Sequence, residues 1–91
     1  SRLMQGCAET ERLLGQMKSA EASFSYDDEG NARMGRQLWT SIPTAMQDGL
    51  INAIAYRAVC ERGEPGEQVV TIRDSANNEI LAQQTVTEFN R

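Results

Sequence analysis

Residues 43–61 read PTAMQDGLINAIAYRAVCE and carry the widest apolar face in the chain. Thr44 and Gln47 match the capping-box pattern directly after Pro43, a position where a helix can begin. Apolar side chains then recur at helical spacing until a loop rich in glycine and proline. The pattern predicts a central, buried helix over residues 44–61.

The segment before this helix predicts a first helix and a hairpin. Apolar residues spaced roughly 3.5 apart favour an amphipathic helix over residues 3–20, as a flank of the core, a coiled-coil seam or a tether. Alternating side chains around the turn DDEGN predict a hairpin over residues 22–39. Met34 to Leu38 is also a helical step, and Gly35 weakens both interpretations.

The segment after the central helix predicts the clearest hairpin, over residues 67–89, with its turn in DSANN. The order helix, hairpin, helix, hairpin indicates one α+β domain, residues 1–91, made of two αββ units. Such units can form a four-stranded antiparallel sheet with two helices on one face, a circularly permuted ferredoxin-like arrangement. The other sheet face would stay open and carry residues such as Thr71, Arg73 and Gln83.

The charge of the chain disfavours several classes of partner. The net charge is −4, and a single lysine accompanies eight arginines. No basic stripe is present to bind nucleic acid or an anionic membrane surface. No run approaches the roughly 20 apolar residues that span a bilayer. Because the chain begins with Ser1 rather than Met, we expect that a targeting or anchoring segment preceded it.

The sequence contains no histidine, which removes the familiar catalytic triads and the commonest zinc ligand. No glycine-rich nucleotide loop or EF-hand register is present. We therefore predict no catalytic residues, no metal and no cofactor. No motif is specific enough to name a family.

Cys7 and Cys60 lie on the two predicted helices, and two interpretations stay open. A disulfide between them would indicate an oxidising compartment, such as the periplasm or another extracytoplasmic space. Two free thiols filling core space would fit a cytoplasmic protein.

Arg33, Arg36 and Trp39 form the candidate binding patch, because arginine beside an exposed tryptophan is common at protein interfaces. Alternatively, Trp39 fills core space and the arginines balance the acidic turn at residues 27–29. That turn is itself either solvated or a surface presented to a basic partner.

The leading functional hypothesis is a noncatalytic protein–protein interaction or assembly domain, exported or membrane-tethered, that binds a protein partner or itself. Sheet-edge pairing and helix pairing are both available routes. The alternative is a small enzyme or ligand-binding domain that uses carboxylates such as Asp27, Asp28 or Asp48.

Overall fold

The computed structural model describes residues 2–64 and 66–87, with side chains from residue 6 onward. The elements in chain order are α1 (Arg2–Ala20), β1 (Ser25–Tyr26), β2 (Asn31–Met34), α2 (Arg36–Ser41), α3 (Thr44–Arg62), β3 (Gln68–Asp74) and β4 (Ile80–Val86). The mixed α+β class is confirmed, with three helices and one four-stranded sheet in this part of the chain. Phe89, near the predicted end of the last hairpin, lies outside the described residues.

The strands lie side by side in chain order, β1-β2-β3-β4. Each hairpin is antiparallel as predicted, but β2 and β3 run parallel, with Ala32 opposite Ile72 and Arg33 opposite Arg73. The prediction of a fully antiparallel, permuted ferredoxin-like sheet is therefore wrong at this central pair. The reason is the connection between the strands. The chain after β2 passes through α3 before β3 begins, and a helical crossover of this kind lets neighbouring strands run parallel.

Both long helices share a single core with one face of the sheet. Leu14 of α1, Met34 of β2, Ile54 and Val59 of α3, and Ile72 of β3 are fully buried together. Since α1 lies against α3, its apolar stripe is a flank of the core. Of the three interpretations of this helix, the structure supports that one.

The segment after Met34 is a helix, which corrects the prediction of a strand that continues to residue 39. Strand β2 ends at Met34, and α2 begins one residue after Gly35. The helical turn brings Trp39 into the core, where it is 8% exposed. Leu38 packs against the same core. The helical step between Met34 and Leu38 is thus the pattern that the chain follows, and it places both Leu38 and Trp39 against the core.

The ends of α3 are held by contacts that differ from the predicted capping box. Pro43 occupies the cap position, and no side-chain hydrogen bond caps the helix. The Gln47 side-chain nitrogen instead donates to the Trp39 carbonyl oxygen at 2.8 Å, which links α3 to α2. At the other end Gly63 adopts a φ of 80°, and its N–H donates to the Val59 carbonyl. This left-handed residue is a common helix stop.

Cys7 on α1 and Cys60 on α3 lie at disulfide-bonding distance, with their Cα atoms 5.8 Å apart. Both residues are half-buried. The bridge joins positions 53 residues apart in sequence and holds the two long helices together. Of the two interpretations of the cysteines, the structure supports the disulfide.

Candidate functional site

Strand β4 forms one edge of the sheet and pairs only with β3 in the described part of the chain. Its seven residues, ILAQQTV, include no charge and no proline. Most of its side chains are exposed or half-buried, and Ile80 is 49% exposed. A register irregularity lies near its first residue, between Ile72 and Arg73 of β3. The remaining length presents unpaired N–H and C=O groups that a further strand can bind.

The opposite edge of the sheet is built differently. Strand β1 has only two residues, and the acidic turn at residues 27–29 follows it directly. Short strands and nearby charges both discourage edge pairing. The sheet therefore offers one long edge, that of β4.

The sheet face opposite the helices places two arginines side by side. Arg33 of β2 is the Cα partner of Arg73 of β3, and Ser25 of β1 is the partner of Arg33 on the other side. Arg73 donates to the Asn78 carbonyl at 2.9 Å. A cavity of about 280 Å³ lies over this row, lined by Ser25, Tyr26, Asp27, Asn31, Ala32, Arg33 and Arg73. We call it the arginine cavity.

The three residues of the predicted docking patch lie in three different settings. Arg33 is exposed on the open sheet face. Arg36 on α2 contacts two carboxylates, with its Nε 3.4 Å from Asp74 and its Nη2 2.7 Å from Glu79. Trp39 is buried in the core, so its ring is not exposed for docking. A binding role for Arg33 stays a prediction.

The acidic turn at residues 27–29 is tied to α3 by an ion pair. Nε of Arg57 lies 2.9 Å from Asp28, and the same guanidinium also faces glutamates on α1 and α3. The hydrogen bond to Asp28 outweighs partial burial and raises the pKa of Arg57 above its ordinary value. Arg57 is therefore the residue that forms an ion pair with this turn, whereas Arg36 pairs with Asp74 and Glu79. The interpretation in which Arg33 and Arg36 balance the charge of the turn stays a prediction.

Asp27 organises the backbone of the same turn. Its Oδ1 accepts hydrogen bonds from the N–H groups of Glu29 at 2.8 Å and Asn31 at 3.0 Å, and its Oδ2 accepts one from the Asn31 side chain at 2.9 Å. Partial burial raises the pKa of Asp27, but these hydrogen bonds outweigh it and hold the pKa below its usual value. Gly30, at a φ of 90°, completes the turn. Asp27 thus has a structural role here, and a catalytic role for it stays an untested prediction.

An apolar groove of about 250 Å³ runs between α1 and the start of α3. It is lined by Leu13, Met17, Ile42, Met46, Gly49 and Leu50. Leu13 is 48% exposed and Met46 is 62% exposed. Sequence reasoning misses this groove because it depends on how the two helices pack.

The described residues contain no group of three or more His, Cys, Asp or Glu side chains placed to hold a metal ion. Within the same residues, no helix combines the length and the apolar character needed to cross a membrane. No protein-family model, curated protein or solved structure matches this chain.

Proposed function

We propose that this chain is a noncatalytic assembly domain that pairs with a second copy of itself through β4. The observation that carries the proposal is the β4 edge: seven uncharged residues, without proline, that no described segment covers. Natural sheets usually protect a long edge with charges, proline or a covering segment. An edge without these protections is suited to pairing with another strand.

A second copy is the partner that the edge fits best. In a two-fold dimer the same strand lies on both sides of the interface, so any charge on it would be present twice, near its own copy. Each chain has a net charge of −4, yet β4 contributes nothing to it. Antiparallel pairing centred on Gln83 would set that side chain opposite itself. The flanking uncharged residues would then pair across the interface.

The other edge explains why such an assembly would stop at two copies. Because β1 has only two residues, each domain offers a single long edge. Pairing two β4 strands uses both long edges and gives an eight-stranded sheet with a two-residue strand at each end. An interface of one strand is small, so we expect a weak dimer that depends on protein concentration.

We further propose that the domain acts outside the cytoplasm. The disulfide-distance pair Cys7 and Cys60 supports this, because such bonds persist in oxidising compartments. The proposal of self-assembly does not depend on this location.

The test is sedimentation of the purified domain over roughly 10 µM to 1 mM, a range chosen for weak interfaces. Gln84→Lys and Gln84→Glu each place one charge on the exposed edge of β4. Asn52→Lys and Asn52→Glu place the same charges on an exposed position of α3 and serve as matched controls. We expect dimers in the wild type and in both Asn52 variants, and monomers in both Gln84 variants.

Two results would overturn the proposal. A wild type that stays monomeric at 1 mM, a concentration at which even weak dimers form, would exclude self-assembly. A dimer that persists in both Gln84 variants would place the interface elsewhere, with the apolar groove as the next surface to test. Circular dichroism of each variant establishes that loss of the dimer is not loss of the fold.

A further inference from the structure

The arginine cavity holds two positive charges that form no ion pair with a described acidic residue. Arg36 and Arg57 each form ion pairs with at least two carboxylates. Arg33 and Arg73 form none within the described part of the chain, although acidic residues outnumber basic ones by 13 to 9. Arg12, Lys18 and Arg62 also form no ion pair in this part of the chain, but Arg33 and Arg73 are the two that lie side by side on one sheet face.

This arrangement is unfavourable without a ligand. Arg33 and Arg73 are direct Cα partners across β2 and β3. Like charges in directly opposite positions of a sheet repel each other and destabilise the pair. A negative group bound between them would turn this repulsion into two attractions.

The cavity also supplies the geometry that such a group needs. A guanidinium donates through a planar fork that fits the oxygens of a carboxylate or a phosphate. No hydrogen bond joins the side chain of Arg33 to a described residue, and the side chain of Arg73 uses only Nη1, for the Asn78 carbonyl. Both side chains therefore keep N–H groups for a ligand. The hydroxyl of Ser25 stands in the same row.

Asp27 lines the cavity as well, and its negative charge has to be accounted for. Both of its oxygens accept hydrogen bonds from its own turn: one receives the N–H groups of Glu29 and Asn31, and the other the Asn31 side chain. It forms no ion pair with either arginine. The two guanidinium charges exceed this single, internally bonded carboxylate.

We propose that Arg33 and Arg73 bind the oxyanion group, carboxylate or phosphate, of a small ligand in the arginine cavity. The volume of about 280 Å³ accommodates such a group with a small body. It is slightly below the range of about 300–1,000 Å³ that is usual for larger ligands. The site is separate from the β4 edge, so the proposal does not rest on self-assembly.

The test is a titration of the folded domain with sodium phosphate and, separately, with sodium acetate, followed by NMR at constant ionic strength. Saturable shifts are expected at the Arg33 and Arg73 side chains and at the backbone of Ser25. Arg33→Gln should weaken binding about tenfold, the usual effect of losing one charged hydrogen-bonding partner. Arg12→Gln removes the same charge from an exposed position on α1 and should leave binding unchanged.

The two titrations separate the possible ligands. Saturation by phosphate alone assigns a phosphorylated ligand, and saturation by acetate alone assigns a carboxylate. Chemical shifts that never saturate would overturn the proposal, and so would an equal loss of anion affinity in Arg33→Gln and Arg12→Gln. Either result would mean that the anions gather around the protein without a specific site. Arg33 is the residue to replace, because Arg73 also holds the turn at Asn78.

A second measurement uses stability. A ligand that binds only the folded protein raises its melting temperature. The anion that saturates in the titration should therefore raise the melting temperature of the wild type and of Arg12→Gln by the same amount, and that of Arg33→Gln by clearly less at the same concentration. An equal rise in all three proteins would also contradict the site.

Discussion

Removal of the Cys7–Cys60 bridge should lower the free energy of unfolding by about 4 kcal/mol. The bridge closes a loop of 53 residues. In the chain-entropy model a loop of that length restricts the unfolded chain by about 4 kcal/mol near 25 °C. Small domains have a total stability of about 5–15 kcal/mol, so the bridge supplies a large share.

The effect should act on the unfolded chain and leave the native fold in place. Leu14 of α1 is fully buried in the core, and Thr10 is 8% exposed. We expect this packing of α1 against α3 to persist without the bridge. Far-UV circular dichroism without denaturant should therefore be the same for the oxidised protein and for the variant with Cys7→Ala and Cys60→Ala.

Urea unfolding measures how much unfolding free energy is lost without the bridge. A slope of about 1–2 kcal/mol per molar urea, ordinary for a small domain, converts the loss into a midpoint roughly 2–4 M lower. The double alanine variant and the wild type in reductant should have the same urea midpoint, and reductant should not change the midpoint of the variant. Equal midpoints for oxidised and reduced wild type would refute the reasoning. So would two free thiols in protein purified from an oxidising compartment.

Three further predictions concern Gly30 compared with Gly63, Asp27, and Trp39. Gly30→Ala should lower the free energy of unfolding in urea by roughly 3 kcal/mol or more, because Gly30 has a φ of 90° and the new Cβ would overlap a β3 carbonyl oxygen. Gly63→Ala should lower it by only about 1–2 kcal/mol, because Gly63 has a φ of 80° but no atom lies near the position of the new Cβ. Asp27→Asn should be less stable than wild type above about pH 4, where the carboxylate with its lowered pKa is charged and hydrogen-bonded. The difference should shrink as the pH falls through that lowered pKa, and a constant difference would contradict the assignment. Trp39→Ala should lower the free energy of unfolding by about 3–5 kcal/mol, measured by urea unfolding followed by circular dichroism. An unchanged urea midpoint would show that the ring is not part of the core.

The elements predicted well are those whose pattern is local. The central helix has an apolar face that repeats over five turns, and Gly63 marks its end. The last hairpin has two apolar runs around a turn of Asp, Ser and Asn residues. Each of these signals lies within the segment that it describes, so no knowledge of the rest of the fold is needed.

The elements predicted poorly depend on distant contacts. The residues after Gly35 fit a strand and a helix about equally in sequence, and the choice is made by burial of Trp39 and by the bond from Gln47 to its carbonyl. The parallel pairing of β2 with β3 depends on which strand β3 pairs with after the helical connection, and no local sequence pattern indicates this. Local propensity is overridden by tertiary packing in both cases.

The candidate sites are hidden from sequence for the same reason. Arg33 and Arg73 are 40 positions apart, and only the parallel register makes them neighbours. An antiparallel pairing of the same strands would give Arg33 a different partner. The β4 edge, similarly, is an edge only because of the strand order. Composition can show an uncharged strand but not that it lies at the side of the sheet.

The strand order also separates the two proposed sites, so an experiment can refute one proposal without refuting the other. The arginine cavity is lined by residues of β1, β2 and β3 and of the turn between β1 and β2, whereas the proposed dimer uses the free edge of β4. Pairing at that edge leaves the row of Ser25, Arg33 and Arg73 uncovered. Arg33→Gln should therefore dimerise like the wild type, and Gln84→Lys should bind the oxyanion with unchanged affinity. If the Gln84 variant lost oxyanion binding while remaining folded, the cavity would have to be completed by the second copy.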